Sequence, residues 1–140
     1  MNLEHFETNL NKLGLDYKLH SGASELEIQD AQIRLEVSFP SKVYSFYKNV
    51  NGLIVNEPKL EVYGLNSVKR FGSNVVFASF NGIHQIAMDV SKLNEAEQWN
   101  IINHNTGFII TLSMASFWSN KIWAWLRNNR EVWEQEVYGT

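Results

Sequence analysis

The sequence predicts a single α+β domain in which an antiparallel sheet of about five strands packs against N-terminal helices and a C-terminal helix. Three observations support this fold class. Apolar residues recur at helical spacing early in the chain, short runs of β-branched and aromatic residues follow, and a last helical stripe comes after them. The chain has 140 residues, which suits one domain over residues 1–140.

Two helices are predicted near the N-terminus. The first covers residues 3–13, and its apolar stripe consists of Leu3, Phe6, Leu10 and Leu13. A loop is expected over residues 16–22. Ser24 begins the second helix, because Glu27 three residues later completes the capping-box pattern. The buried face of this second helix is predicted to carry Ile28, Ala31 and Leu35.

A third helix and the C-terminal helix have their own start and stop signals. Pro40 and Ser41 open the third helix, and Asn51-Gly52 ends it, because glycine tolerates the left-handed conformation that a helix end often needs. The apolar positions of that helix are Val43, Phe46, Tyr47 and Val50. Ser116 is the expected cap of the last helix, whose buried stripe is Trp118, Ile122, Trp125 and Leu126.

Between these helices the hydrophobic period changes to that of strands. The predicted strands are Leu60–Leu65, Val75–Phe80, Ile83–Asp89, Trp99–Asn103 and Phe108–Leu112. Asn81-Gly82 separates two of them and is the strongest short signal for a hairpin. Asn105-Thr106-Gly107 marks a second turn. Consecutive strands joined by turns predict antiparallel pairing.

Composition excludes several classes of function. The chain has no Cys, so disulfides, thiolate metal sites and Cys nucleophiles are excluded, and a reducing cytoplasm is the expected location. The net charge of -3 argues against a nucleic-acid partner. The first fifteen residues contain acids and no apolar core, so no signal peptide is expected. No apolar run approaches the roughly 20 residues that span a bilayer, so no membrane association is expected.

No pattern of catalytic or ligand-binding residues is present. His5, His20, His84 and His104 are scattered, so neither a metal nor an organic cofactor is expected. There is no nucleophile elbow and no phosphate-binding loop, so the chain is not expected to be an enzyme. The alternative is a small ligand or a reaction in a pocket between helices and sheet, lined by Tyr44, Tyr47, Tyr63 and His84.

Tryptophans and acids are the candidate partner-binding residues. Trp123 lies off the buried stripe of the last helix, and Trp133 lies in a charged C-terminal segment. Either that segment folds back and buries both rings, or one of them is an exposed aromatic anchor. The acids Glu57, Glu61, Glu95 and Glu97 belong to the strand region and its loops. Loops on a rigid scaffold are where binding residues concentrate, so these acids are predicted to face a basic partner.

The order of these signals resembles the SUKH superfamily. Its N-terminal signature consists of apolar helix positions, a residue-proline pair, an aromatic helix and an Asn-Gly pair. In this chain the corresponding residues are Ile28, Ala31, Leu35, Phe39-Pro40, Val43, Phe46-Tyr47 and Asn51-Gly52. Its sheet core and closing helix correspond to Val76-Phe77-Ala78, Asn81-Gly82, Ile86-Ala87-Met88-Asp89 and Ser116-Phe117-Trp118. Three positions depart from the pattern: Gln32 replaces the usual Glu, Phe39 the usual Leu, and Leu53 a frequent Gly.

The resemblance implies a function as well as a fold. It implies a compact α+β domain with no known catalytic centre. Many bacterial members are implied to be immunity proteins that bind and neutralise a toxin domain, and eukaryotic relatives include a regulator of yeast cell-wall assembly. The leading hypothesis is therefore a protein-binding module whose partner is a cognate toxin domain. A regulatory scaffold protein is a further alternative.

Overall fold

The computed structural model describes residues 2–135 and has the predicted α+β architecture. Its sheet contains eight strands, more than the five expected. The strands are β1 (Tyr17–Ser21), β2 (Val50–Val55), β3 (Leu60–Val62), β4 (Lys69–Phe71), β5 (Asn74–Phe80), β6 (His84–Asp89), β7 (Ile101–Asn103) and β8 (Ile109–Thr111). The helices are α1 (Leu3–Lys12), α2 (Glu25–Leu35), α3 (Ser41–Asn49), α4 (Met114–Ser116) and α5 (Ile122–Asn128), with a 3-10 turn at Leu65–Ser67 and a π-helical turn at Phe117–Lys121.

All strand pairs in the sheet are antiparallel. The order is β1-β2-β3-β5-β6-β7-β8, and β4 pairs with β5 beyond the end of β3. One face of the sheet joins the helices in the main core. Val76, Ala87 and Ile102 are cross-strand neighbours and form a second, separate apolar cluster, which places them on the opposite face. That opposite face carries no helix among residues 2–135 and is called the open face below.

The predicted hairpin and the inward faces of α2 and the last helix are confirmed, whereas Leu13, predicted on the apolar stripe of the first helix, is 39% exposed just after α1. Asn81 and Gly82 both have positive φ, 55° and 76°, and Ile83 N–H donates to Phe80 O at 3.2 Å, which closes a tight turn between β5 and β6. In α2, the Ser24 hydroxyl accepts from Glu27 N–H at 3.1 Å, and Glu27 Oε1 accepts from Ser24 N–H at 3.0 Å. The apolar positions predicted to be inward on α2 and on the last helix are all buried.

Four local predictions are wrong. Residues 17–21 form strand β1 rather than a loop, because β2 supplies a hydrogen-bonding edge. Asn51-Gly52 lies inside β2 and does not end α3, which stops at Asn49. The strand predicted over residues 60–65 ends at Val62 and is followed by the 3-10 turn. The cap of the last helical segment is Ser113, whose hydroxyl accepts from Ser116 N–H at 3.1 Å.

Two arginines join α2 to the segment that leads into β5. The guanidinium of Arg34 donates to the carbonyl oxygens of Val68 at 2.8 Å and Leu65 at 2.6 Å. Arg70 Nη1 donates to Leu35 O at 2.8 Å, and its Nε donates to Gly72 O at 2.8 Å. The last carbonyls of a helix lack partners within the helix, so Arg70 caps the C-terminal end of α2. These bonds fix α2 against the sheet.

A close backbone approach between β1 and α3 requires glycine at position 22. A Cβ added to Gly22 would lie 1.8 Å from the carbonyl oxygen of Lys48. The next residue, Ala23, donates its N–H to Tyr47 O at 2.8 Å. The chain therefore passes directly over the C-terminal turn of α3 before α2 begins. This contact sets the position of α2 relative to α3.

Candidate functional site

Trp133 is buried, so the expectation that it could be an exposed anchor is wrong. Its side chain is 2% exposed, and its ring centroid lies 5.3 Å from that of Phe80 and 5.1 Å from that of Trp125. Its backbone oxygen accepts from Asn103 Nδ2 at 2.9 Å. Residues 129–135 fold back onto the sheet, because the large apolar ring of Trp133 is buried at the end of the core. A partner cannot reach Trp133 while the segment is folded.

Trp123 is half-buried and lies beside α1. Its ring centroid is 4.9 Å from that of Phe6, and the guanidinium carbon of Arg127 lies 4.9 Å from the Trp123 ring centroid. A guanidinium at this distance over an indole is a cation–π contact. Part of the Trp123 ring therefore faces solvent next to a positive charge.

The four predicted acids do not lie together. Glu57 is exposed in the turn between β2 and β3, and this turn lies against the β5–β6 hairpin, since Asn81 N–H donates to Lys59 O at 2.9 Å. Glu61 is half-buried on β3, in register with Ile54 and Ser79. Glu95 and Glu97 are exposed in the loop that follows β6. The length of β6 separates this loop from the hairpin end, roughly 20 Å at the rise of a strand.

Glu95 and Glu97 lie beside an exposed apolar edge of the sheet. Asn94 Nδ2 donates to Leu112 O at 2.8 Å, which ties their loop to the end of β8. The side chains of Leu93, Ile109 and Leu112 are 55%, 50% and 57% exposed. Among residues 2–135, β8 pairs only with β7, so its other edge has no strand partner in this part of the chain. Leu93, Glu95, Glu97, Ile109 and Leu112 are together called the β8-edge surface.

The acidic loop of the β8-edge surface has an ordered conformation. Asn94 Oδ1 accepts from Ala96 N–H at 2.9 Å and from Gln98 N–H at 3.2 Å. Backbone bonds from Asn94 N–H to Gln98 O and from Glu97 N–H to Asn94 O, both 2.9 Å, close the same turn. The two carboxylates therefore project from a turn that its own hydrogen bonds hold in place, which lowers the entropy lost when a partner binds.

A groove of about 530 Å³ lies between α1 and the helices α3 to α5. Its aromatic lining consists of Phe6, Phe46, Trp118 and Trp123. Phe6 stacks on Trp118 with ring centroids 4.1 Å apart, and Trp118 meets Phe46 edge to face at 4.9 Å. The cations Lys42 and Arg127 lie at its rim, together with His5. This groove, with all the residues that line it, is called the α1 groove.

The pocket predicted between helices and sheet is not formed. Tyr47 is fully buried, and its hydroxyl has no hydrogen-bond partner among the described residues. Tyr63 donates its hydroxyl proton to Gln85 Oε1 at 3.2 Å, and Tyr44 donates to Glu25 on α2. The imidazole of His84 stacks on Trp133. These four side chains line no common cavity in the part of the chain described.

A hydrogen bond and burial shift the pKa values of Glu25, Tyr44 and Tyr47. The hydrogen bond from Tyr44 lowers the pKa of Glu25, and the same bond raises the pKa of Tyr44. Burial raises the pKa of Tyr47 well above its usual range. No set of three His, Asp or Glu side chains within residues 2–135 is placed to hold a metal ion. Over the same residues, no helix has the length and apolar character needed to cross a membrane.

The chain matches a known protein family. The sequence model of the SMI1 / KNR4 family (SUKH-1) matches residues 22–137. The chain belongs to this family. The superfamily predicted from the ordered helix, hairpin and strand signals is thereby confirmed. No curated protein matches the chain closely enough to count as a relative.

The SUKH-1 match covers most of the architecture but not all of it. It begins at residue 22, so α1 and β1 lie before the matched segment. The β8-edge surface lies entirely inside the SUKH-1 segment. The α1 groove has Phe6 and His5 from α1 on one side and SUKH-1 helices on the other. The β8-edge surface therefore belongs wholly to the matched segment, whereas the α1 groove also contains residues that precede it.

Proposed function

We propose that this SUKH-1 domain is an immunity-type binding module that neutralises a toxin domain by direct binding. Family membership supports the proposal, because the resemblance to this superfamily implies that role for many bacterial members. The observation that carries it to particular residues is the β8-edge surface, where exposed apolar side chains border two carboxylates. The absence of Cys is compatible with action in a reducing cytoplasm.

The β8-edge surface has the features of a protein interface. Leu93, Ile109 and Leu112 supply apolar area that a partner would remove from water. The unpaired edge of β8 can accept a strand from the partner, with backbone hydrogen bonds providing part of the affinity. Glu95 and Glu97 at the rim favour a basic partner and speed its encounter with this surface.

Co-expression tests the proposed function. The chain is produced together with the toxin domain encoded beside its own gene, and growth and co-purification are measured. The expected result is survival of the cells and a stable complex. A toxin domain of a different sequence serves as the specificity control and should neither be neutralised nor co-purify. Cell death without a complex, while the chain is folded and present in excess, would show that the chain is not the immunity protein for that toxin.

A further inference from the structure

We infer that the α1 groove is a binding site for a small aromatic organic anion, a planar ring system that carries a carboxylate, sulfonate or phosphate. This inference goes beyond the proposed function, because the groove and the β8-edge surface share no residue. It rests on three features of the groove: the arrangement of its aromatic rings, the sign of its charges and its size.

A π-helical turn brings the aromatic rings together. Trp118 lies in the turn Phe117–Lys121, and Trp123 follows it by five positions. Residues five apart in a regular α-helix differ by roughly 140° around the axis, so they face different directions. The wider i→i+5 turn reduces this angle. As a result both indoles contact Phe6, at centroid distances of 4.1 Å and 4.9 Å.

The rim of the groove attracts an anion. Lys42, Arg127 and His5 line it, and no acidic side chain among residues 2–135 does so. Neither Lys42 nor Arg127 forms a salt bridge in the described part of the chain, where Lys48 pairs with Glu25 at 3.5 Å. Lys42 and Arg127 are the charged residues of this lining among residues 2–135, and both are cations in a chain with a net charge of -3. Arg127 lies over one face of the half-buried Trp123 ring, so a ligand beside it can contact the exposed part of the indole and pair its anionic group with the guanidinium.

The size of the groove fits a small molecule. Its volume of about 530 Å³ is within the range of roughly 300–1,000 Å³ found for small-ligand sites. The walls are firm, because Phe6, Phe46 and Trp118 are buried and pack against one another. Asn2, His5 and Asn9 on α1, with Ser45 and Ser119 on the facing elements, add polar groups that can orient a ligand.

Two dyes that differ in charge test the inference. The probe is 8-anilinonaphthalene-1-sulfonate, an aromatic anion, and the reference is N-phenyl-1-naphthylamine, which has the same ring system without the sulfonate. Dye fluorescence and quenching of tryptophan emission are measured on the full chain. The expected result is saturable binding of one sulfonate dye per chain, with an affinity that falls as salt screens the cationic rim.

Variants of the rim and of the groove interior distinguish the contribution of charge to dye binding from the contribution of groove shape. The double change Lys42→Gln and Arg127→Gln should lower the affinity for the sulfonate dye by about tenfold or more and leave the affinity for the neutral dye unchanged. Ala115→Trp should abolish binding of both dyes, because Ala115 is exposed and lines the groove, so a large side chain there fills the site. Lys69→Gln is the matched control, since Lys69 is an exposed cation on β4, outside the groove, and should have no effect.

The outcomes are distinct from those of the toxin experiment. The inference is overturned if the full chain shows no saturable binding, if Ala115→Trp binds both dyes as before, or if the double variant binds the sulfonate dye normally. It is also overturned if the double variant loses both dyes equally, since charge would then play no part. Near-ultraviolet circular dichroism of each variant establishes that its fold is intact. Toxin neutralisation succeeds or fails independently of all these results.

Discussion

The indole of Trp133 stacks on the imidazole of His84, with ring centroids 4.4 Å apart and planes 16° apart. His84 opens β6, so this contact fixes the C-terminal segment to the end of the sheet at which the β5–β6 hairpin lies. Phe80 and Trp125 complete the surroundings of the Trp133 ring. One ring therefore joins the sheet, α5 and the segment after α5.

Removing the Trp133 ring should destabilise the whole domain. Trp133→Ala leaves a cavity between Phe80, Trp125 and His84, and we expect the free energy of unfolding to fall by about 3–5 kcal/mol. Chemical denaturation, monitored by circular dichroism, measures this free energy of unfolding. The control is Phe71→Ala, because that ring is more than half exposed on β4, and its loss should cost under about 1 kcal/mol. Equal losses for the two variants would contradict the burial of Trp133.

Tyr47→Phe should stabilise the protein at neutral pH. The Tyr47 hydroxyl is buried without a hydrogen-bond partner among the described residues, so its removal should raise the free energy of unfolding by about 1–3 kcal/mol. The matched control is Tyr63→Phe, which removes a hydroxyl bonded to Gln85 and should lower stability by about 1 kcal/mol. A less stable Tyr47→Phe protein would show that the hydroxyl has a partner.

The same variant should change the stability of the protein at alkaline pH. Burial raises the pKa of Tyr47, so the folded chain keeps the phenolic proton while the unfolded chain loses it near pH 10. The ionisation of this group therefore leaves the free energy of unfolding unchanged below about pH 10 and lowers it as pH rises further, by up to about 1.4 kcal/mol per unit. Tyr47→Phe should show a shallower fall than the native chain. The pKa values of Tyr17 and Tyr44 are also raised, so a residual slope is expected.

The hydrogen bonds of Arg70 should contribute measurably to stability. Arg70→Ala removes the donors to Leu35 O and Gly72 O, and we expect a loss of about 1–2 kcal/mol, since Arg70 is exposed to solvent. Arg70→Lys retains the charge but has no planar fork, so it should recover only part of the loss. Urea unfolding of the three proteins provides the comparison. Full recovery by lysine would mean that charge near the end of α2 matters more than the paired hydrogen bonds.

Charge reversal at Glu95 and Glu97 should slow association with the toxin domain that we propose as the partner. Carboxylates at the rim of an interface mainly affect encounter, so the double change to Lys should lower the association rate by about tenfold at low salt, and by less at high salt. Stopped-flow or surface-binding kinetics resolve the rate. Leu112→Ala should instead speed dissociation, because it removes buried contact area without a change in charge.

Glu57→Lys distinguishes the β8-edge surface from a broader interface. Glu57 lies at the hairpin end of the sheet, away from β8, and its reversal should leave the kinetics unchanged if the toxin contacts the β8-edge surface. If Glu57→Lys or Glu61→Lys slows association as much as the Glu95 and Glu97 changes do, the partner covers the open face and the choice of the β8 edge is wrong.

Much of the fold follows from local signals in the sequence. The capping box at Ser24, the hairpin turn at Asn81-Gly82 and the helical stripe from Trp118 to Leu126 depend on neighbours in the chain, so spacing alone predicts them. Strand β1 was missed because Tyr17–Ser21 become a strand only when β2 pairs with them. Asn51-Gly52 has the residues of a helix end, but long-range pairing of β2 with its neighbours places it inside the sheet.

The sequence by itself determined the fold class, the family and the absence of thiol chemistry, because periodicity, motif order and composition are properties of the chain. Only the tertiary structure decided which side chains meet. The sequence allowed Trp133 to be exposed or buried, and in the structure its ring packs against Phe80 and His84. Trp123 lies off the regular helical stripe, and the π-helical turn placed it with Trp118 on Phe6. Such contacts depend on where distant segments pack, and no local pattern of residues encodes that position.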